Sequence, residues 1–121
     1  MALQTRLRHM PPHISSTFES ELRRARSATT LDERWAALER AHILSQPWPY
    51  PHVRAHGAMV RFAIHQRDIR EIAGQLVRLI VAGPASAIGR YPAGNTGRAR
   101  VPATRPMPLP DDLANLLGRA L

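Results

Sequence analysis

The chain has 121 residues, room for one ordinary domain and not for two. It contains no cysteine, so disulfides, thiolate nucleophiles, iron–sulfur ligation and cysteine zinc sites are excluded, and any metal site must use histidine or carboxylate. Only 5% of the residues are aromatic against 44% hydrophobic, which leaves the core to aliphatic side chains, and 17 basic residues, all arginine, against 9 acidic ones give a formal charge of +8.

Residues 1–15 contain the pair Pro11 and Pro12 and no sustained periodicity, so they are expected to form a flexible N-terminal tail carrying His9 and His13. The opening ten residues lack the apolar run of a secretory signal. No segment is long enough to span a membrane, and the expected residence is cytoplasmic. Residues 16–121 are expected to form a single helical domain. Ser16 or Thr17 can cap a first helix that starts at Phe18 and reaches Arg26 or Ser27. Thr30 followed by Glu33 marks the start of a second helix, in which Leu31, Trp35, Leu38 and His42 share a face.

That helix is expected to stop before the run PWPYP at 47–51. A third helix then begins near His52, with His56, Met59, Val60, Ala63 and Ile64 on one side, and breaks at 66–68. The fourth is the clearest apolar segment: Ile69, Ile72, Ala73, Leu76, Leu79 and Ile80 keep helical spacing, and Gly83-Pro84 supplies a stop. Residues 84–110 are rich in Gly, Pro and Arg without period, an extended loop that wraps the helices. Asp111 and Asp112 open a short last helix with Leu113, Leu116 and Leu117. The expected class is all-α, a small antiparallel helical bundle of about four helices with that long loop and a short C-terminal helix.

The pattern that carries chemistry is ERAH at 39–42 followed, across the proline-rich turn, by HVRAH at 52–56. Spacings of three and four keep each pair near one helical face. Antiparallel packing across the turn then sets His42 level with His52, and Glu39 level with His56 one turn deeper. Glu39, His42, His52 and His56 are thus candidate ligands, with Glu39 direct or orienting a histidine. Imidazole and carboxylate suit Zn, Fe, Cu or Mn. A single E-x-x-H does not complete a di-iron carboxylate set, and HVRAH lacks the central glutamate of the zincin motif. The bland alternative is that the histidines cap carbonyls or tune packing. His65, nine residues from His56, faces away.

The run LERAHILSQ at 38–46, with HVRAHGAMVRF at 52–62 and RDIREIAGQLVRL at 67–79, resembles the bacterial domain-of-unknown-function family 3703. GRYPAGNTGRARV at 89–101 and PMPLPDDL at 106–113 resemble the same family. The resemblance implies a small, mostly helical bacterial protein and no transferable activity. It also implies a bulky aromatic where this chain has Gly57, a change expected to open space beside the histidines or weaken the helix.

Three other readings stand beside the metal site. The turn at 94–97 with Arg98 and Arg100 can hold an anion or, more plainly, lock the loop against the helices. The charge, concentrated at Arg23, Arg24, Arg26, Arg61, Arg67, Arg70 and Arg78, suits nucleic acid, which the expected Arg67–Glu71 pair and the lack of a base-reading helix disfavour. A homodimer or protein partner is the third class: Trp48 and Tyr50 in the proline-rich turn could anchor it if Trp48 faces solvent, while Trp35 fits the core. No nucleotide or catalytic-triad motif is present, so an enzymatic role would rest on the metal alone.

Overall fold

A computed structural model of the chain describes residues 9–120. It holds five helices, α1 Pro12–Ser27, α2 Leu31–Ser45, α3 Pro49–Gln66, α4 Ile69–Ala87 and α5 Asp111–Ala120, and no strand among the described residues. The expected tail falls largely on residues 1–8, outside those described. Helix α1 begins at Pro12 and not at Phe18, where the sequence pattern placed its start. Pro12 sits in the first turn of α1, where its missing amide hydrogen is one of the donors a helix start leaves unpaired anyway, so the proline pair starts a helix instead of preventing one. This early start carries Ile14 fully into the core.

The same physics moves the start of α3 into the PWPYP run, with Pro49 and Pro51 in its first turn. Elsewhere the punctuation works as expected. Thr30 caps α2 by accepting the Glu33 amide, Asp68 caps α4 by accepting the Glu71 amide, and Arg67 at φ 55° turns the chain between α3 and α4. Pro84 does not end α4, which continues to Ala87. The residue before it is Gly83, which has no Cβ to meet the proline ring, and that removes part of the strain a helical Xaa-Pro pair normally carries.

Two apolar clusters hold the molecule together. Phe18, Leu22 and Ala25 of α1 meet Ala37, Leu38 and Ala41 of α2 and Ala55, Met59 and Phe62 of α3. Ile14, Ile43, Leu44 and Trp48 meet Leu113 and Leu117 of α5. Trp48 is therefore buried, which withdraws it as an exposed anchor, while Leu31 and Ile64 lie outside the core their helical faces suggested.

Helix α4 overturns the plainest expectation of the sequence. Ile69, Leu76 and Ile80 are exposed, and the side chains that α4 buries are Glu71, Gln75, Ala82 and Ser86. It packs on α3 through a polar seam. The loop from 88 to 110 completes that seam, with Gly94, Asn95, Gly97 and Arg98 buried against α2 and α4. Gly94 and Gly97 adopt φ 81° and 83°, and a Cβ on Gly94 would lie 1.9 Å from the Met107 carbonyl oxygen.

Candidate metal centre

His42 near the end of α2 and His52 and His56 in the first two turns of α3 converge, all buried. One nitrogen from each ring lies within 4.8 Å of the other two. The ring centroids are 4.6 to 5.0 Å apart. The turn at 46–48 joins α2 to α3, and helical spacing on these two successive helices produces one cluster.

The outer nitrogen of every ring has an acceptor, and the identity of that acceptor fixes the tautomer. His42 Nδ1 donates to the Asn95 backbone carbonyl at 2.7 Å, and a carbonyl only accepts. His52 Nδ1 lies 2.6 Å from Ser86 Oγ, whose own proton is directed to the Gln46 carbonyl at 2.5 Å, so the hydroxyl accepts from the ring. His56 Nδ1 lies 2.7 Å from Gln75 Oε1; the Gln75 amide nitrogen donates to Glu71 Oε2 and to the Gly97 carbonyl, which leaves the oxygen to accept. All three rings carry their hydrogen on Nδ1. All three Nε2 atoms therefore hold lone pairs.

Two of those lone pairs face each other: His42 Nε2 and His52 Nε2 are 3.2 Å apart with no hydrogen to share. Two nitrogens about 2.05 Å from one tetrahedral ion are about 3.3 Å apart. A proton shared between them would also satisfy them, and the surroundings oppose it. Burial, then the other two rings, hold His42 well below its usual value. Burial, then the His56 ring, lowers His52 to about 3, with the Ala82 carbonyl pulling the other way. Burial lowers His56 to about 4 against the Gln75 hydrogen bond, with the Arg78 charge helping.

These shifts set a pH dependence for the metal-free protein. Between the unfolded value near 6.5 and the lowered native values, the unfolded chain binds protons that the native state refuses. Stability therefore falls as pH drops from about 6.5 toward 4, by about 1.4 kcal/mol per pH unit for each histidine. Urea midpoints at pH 7.5, 6 and 5 are expected to decrease in that order; equal midpoints would contradict neutral, buried rings.

Glu39 does not join the three. Three residues turn a helix by about 300°, which leaves it about 60° around α2 from His42. There its carboxylate receives Arg98 Nη1 at 3.5 Å, and burial pushes the Glu39 carboxyl up against the pull of that guanidinium. Arg98 in turn donates to Glu71 at 2.6 Å and lies 3.7 Å over the Trp35 ring. Glu39 thus reaches the histidines only through Arg98, Glu71, Gln75 and His56. Glu71 pairs with Arg98 and not with Arg67, and Arg98 is buried inside this network.

Sequence reasoning missed Gln75, Ser86, Asn95 and Gly97. The first two, with Glu71, form a polar stripe at spacings of four and eleven along an otherwise apolar helix, which is the available signal. Gly97 is held by two constraints: φ is 83°, and a Cβ there would come within 2.8 Å of the His42 ring. Gly97→Ala is expected to cost at least about 1 kcal/mol and to displace His42, whereas Gly57→Ala, with nothing within 4 Å of the new Cβ, should stabilise α3 by about 0.5–1 kcal/mol. Urea unfolding of both variants checks the pair.

The histidines open on a cavity of about 120 Å³ whose wall includes Val77, Arg78, Val81 and Tyr91. A separate groove of about 830 Å³ is lined by Arg26, Arg34, Arg54, Arg61 and Phe62 among others and shares no lining residue with it. Gly57 lies on that groove, so the space it opens is not beside the histidines. No helix among the described residues is long and apolar enough to cross a membrane.

No curated protein and no solved structure matches the chain significantly. The model of the family described as protein of unknown function DUF3703 matches residues 12–117, nearly the whole chain, and the protein belongs to that family.

Proposed function

We propose that this chain is a small metal-binding protein that holds one divalent transition ion on the Nε2 atoms of His42, His52 and His56. The observation that carries the reading is three buried rings that bring one nitrogen each within 4.8 Å of the others, with every Nδ1 held by an acceptor of its own. Buried acceptors that face one another are unfavourable unless a cation or a hydrogen-bond donor meets them, and three imidazole nitrogens in one place are a donor set for a cation. An all-imidazole donor set suits Zn, Cu or Fe more than the harder Mn. Glu39 belongs to the outer network that orients His56.

Three protein ligands leave a position open toward the cavity. The imidazoles carry no charge and Arg78 stands on the same wall, so a small anion is the fitting fourth ligand. When bound, the ion supplies a Lewis-acid position there; Arg78 and the apolar wall orient what enters and limit water. The reading includes an antiparallel packing of α1 to α4 as a small bundle, which their short connections favour.

Titration of the metal-free protein with Co(II) tests the site. The expected result is the visible spectrum of a low-coordinate nitrogen site that saturates at one ion per chain. A spectrum that stays that of aqueous Co(II) would overturn it. The arginine-lined groove supports a second reading, a basic module for a protein or nucleic-acid partner, and that groove is separable from the histidine cavity residue by residue.

A further inference from the structure

The polar seam under α4 leaves its other face uncovered. Ile69, Val77, Ile80 and Ile88 are 80%, 64%, 78% and 67% exposed, and Leu76, Val81, Ala73 and Pro84 complete a continuous strip. At 100° per residue these positions span less than half the circumference of α4, opposite Glu71, Gln75, Ala82 and Ser86. Arg70 is the single charged residue among the exposed positions from 69 to 88. The six larger side chains present roughly 700 Å² of surface, above the ~300–600 Å² of the largest patch on an ordinary monomer and close to the ~800 Å² each partner contributes to a standard interface.

The order of residues along this strip is symmetric. Every member has a mate at the same distance from the point between Arg78 and Leu79: Ile69 with Ile88, Ala73 with Pro84, Leu76 with Val81, Val77 with Ile80. Apart from Arg70, whose counterpart position holds Ala87, the exposed apolar positions match themselves under a two-fold axis, which is the self-complementarity an isologous dimer requires. Charge selects the same partner. A chain of +8 would ordinarily attract an acidic surface, yet this strip offers almost no charge to complement one.

We infer that α4 is a homodimer interface, in which two copies pack their α4 strips antiparallel about a two-fold axis at Arg78–Leu79. Val77 of one chain meets Ile80 of the other, and Ile69 meets Ile88. Val77 and Val81 also line the histidine cavity, so the second copy extends the apolar wall of that cavity. The inference stands on the strip alone and does not depend on a bound metal.

Light scattering coupled to size exclusion, on the full chain at about 100 µM, is expected to give twice the chain mass. Ile80→Asp, which places a carboxylate from each copy at the axis, is expected to weaken association at least about 100-fold while leaving the helical circular dichroism unchanged. A monomeric wild-type chain, or a dimer that Ile80→Asp does not weaken, would overturn the inference. Direction is read by cross-linking, since the chain has no cysteine of its own. Chains carrying Ile69→Cys mixed with chains carrying Ile88→Cys should form the mixed disulfide. Two copies of Ile69→Cys, about 28 Å apart across the axis, should not join. Self-linking of Ile69→Cys in preference to the mixed pair would overturn the antiparallel arrangement.

Discussion

Replacing His52 with alanine is expected to weaken Zn(II) binding by at least about 100-fold, because removing even the partner that orients a metal-ligating histidine costs about 10–100-fold and a ligand costs more. His52 is the sharpest choice of the three. Its Nε2 lies 3.2 Å from that of His42, and its outer nitrogen is tied through Ser86 to the Gln46 carbonyl, so its ring is fixed from both sides. Ser86→Ala should give an intermediate loss within that 10–100-fold range, since the ring stays but its orienting acceptor goes. His65→Ala, exposed near the end of α3, should change nothing. Competition against a chromophoric chelator, on variants matched for helical content, measures all three. Equal affinity of wild type and His52→Ala would remove His52 from the site.

The histidine cluster was legible because its information is local. ERAH and HVRAH need only helical spacing and one tight turn to converge, and a proline-rich turn supplies it. For Glu39 the same local logic left two roles open: spacing of three puts it near the face of His42, and 60° around the helix pairs it with Arg98, which arrives from a loop 59 residues away. Nothing in the periodicity of residues 88–110 shows that Asn95 offers its carbonyl to His42 or that Gly97 must be bare to let the ring pass. Those are long-range contacts made by backbone.

Helix α4 shows a different limit. Its apolar positions have clear helical period, and the usual inference buries them. The inference fails because the two faces compete on satisfied chemistry as well as on hydrophobicity. Glu71, Gln75 and Ser86 each find several partners inside, among them an arginine, two histidines and backbone groups. A polar stripe so fully paired can face inward and leave the apolar stripe for another surface.

Glu71→Ala is expected to be the most destabilising single change outside the histidines. Its Oε1 accepts from Arg98 Nε and from the Ala99 amide, and its Oε2 accepts from Gln75. Truncation leaves a guanidinium that is 9% exposed with only its longer contact to Glu39, together with a part-buried Ala99 amide that has lost its acceptor. Breaking a buried pair in this way costs about 3–5 kcal/mol, a large part of the ~5–15 kcal/mol that holds a domain folded. For a chain of this size that corresponds to a fall of about 10–20 °C in melting temperature. Metal affinity should fall as well, because Gln75 loses the contact that keeps its oxygen on His56. Arg67→Ala, the partner that helical spacing alone would assign to Glu71, should stay within about 0.5 kcal/mol of wild type. Calorimetry of the two variants separates the assignments: a melting temperature that Arg67→Ala lowers more than Glu71→Ala would reverse them.

If the three neutral imidazoles hold an ion, the purified chain carries it, which is directly measurable. Metal content by mass spectrometry, on protein purified without a chelating tag and compared with the triple variant His42→Ala, His52→Ala, His56→Ala at matched folding, tests it most directly. The expected result is one divalent transition ion per wild-type chain and none in the folded triple variant. A folded wild-type chain that carries no metal and takes up none of Zn, Cu, Fe or Mn when offered them would contradict it.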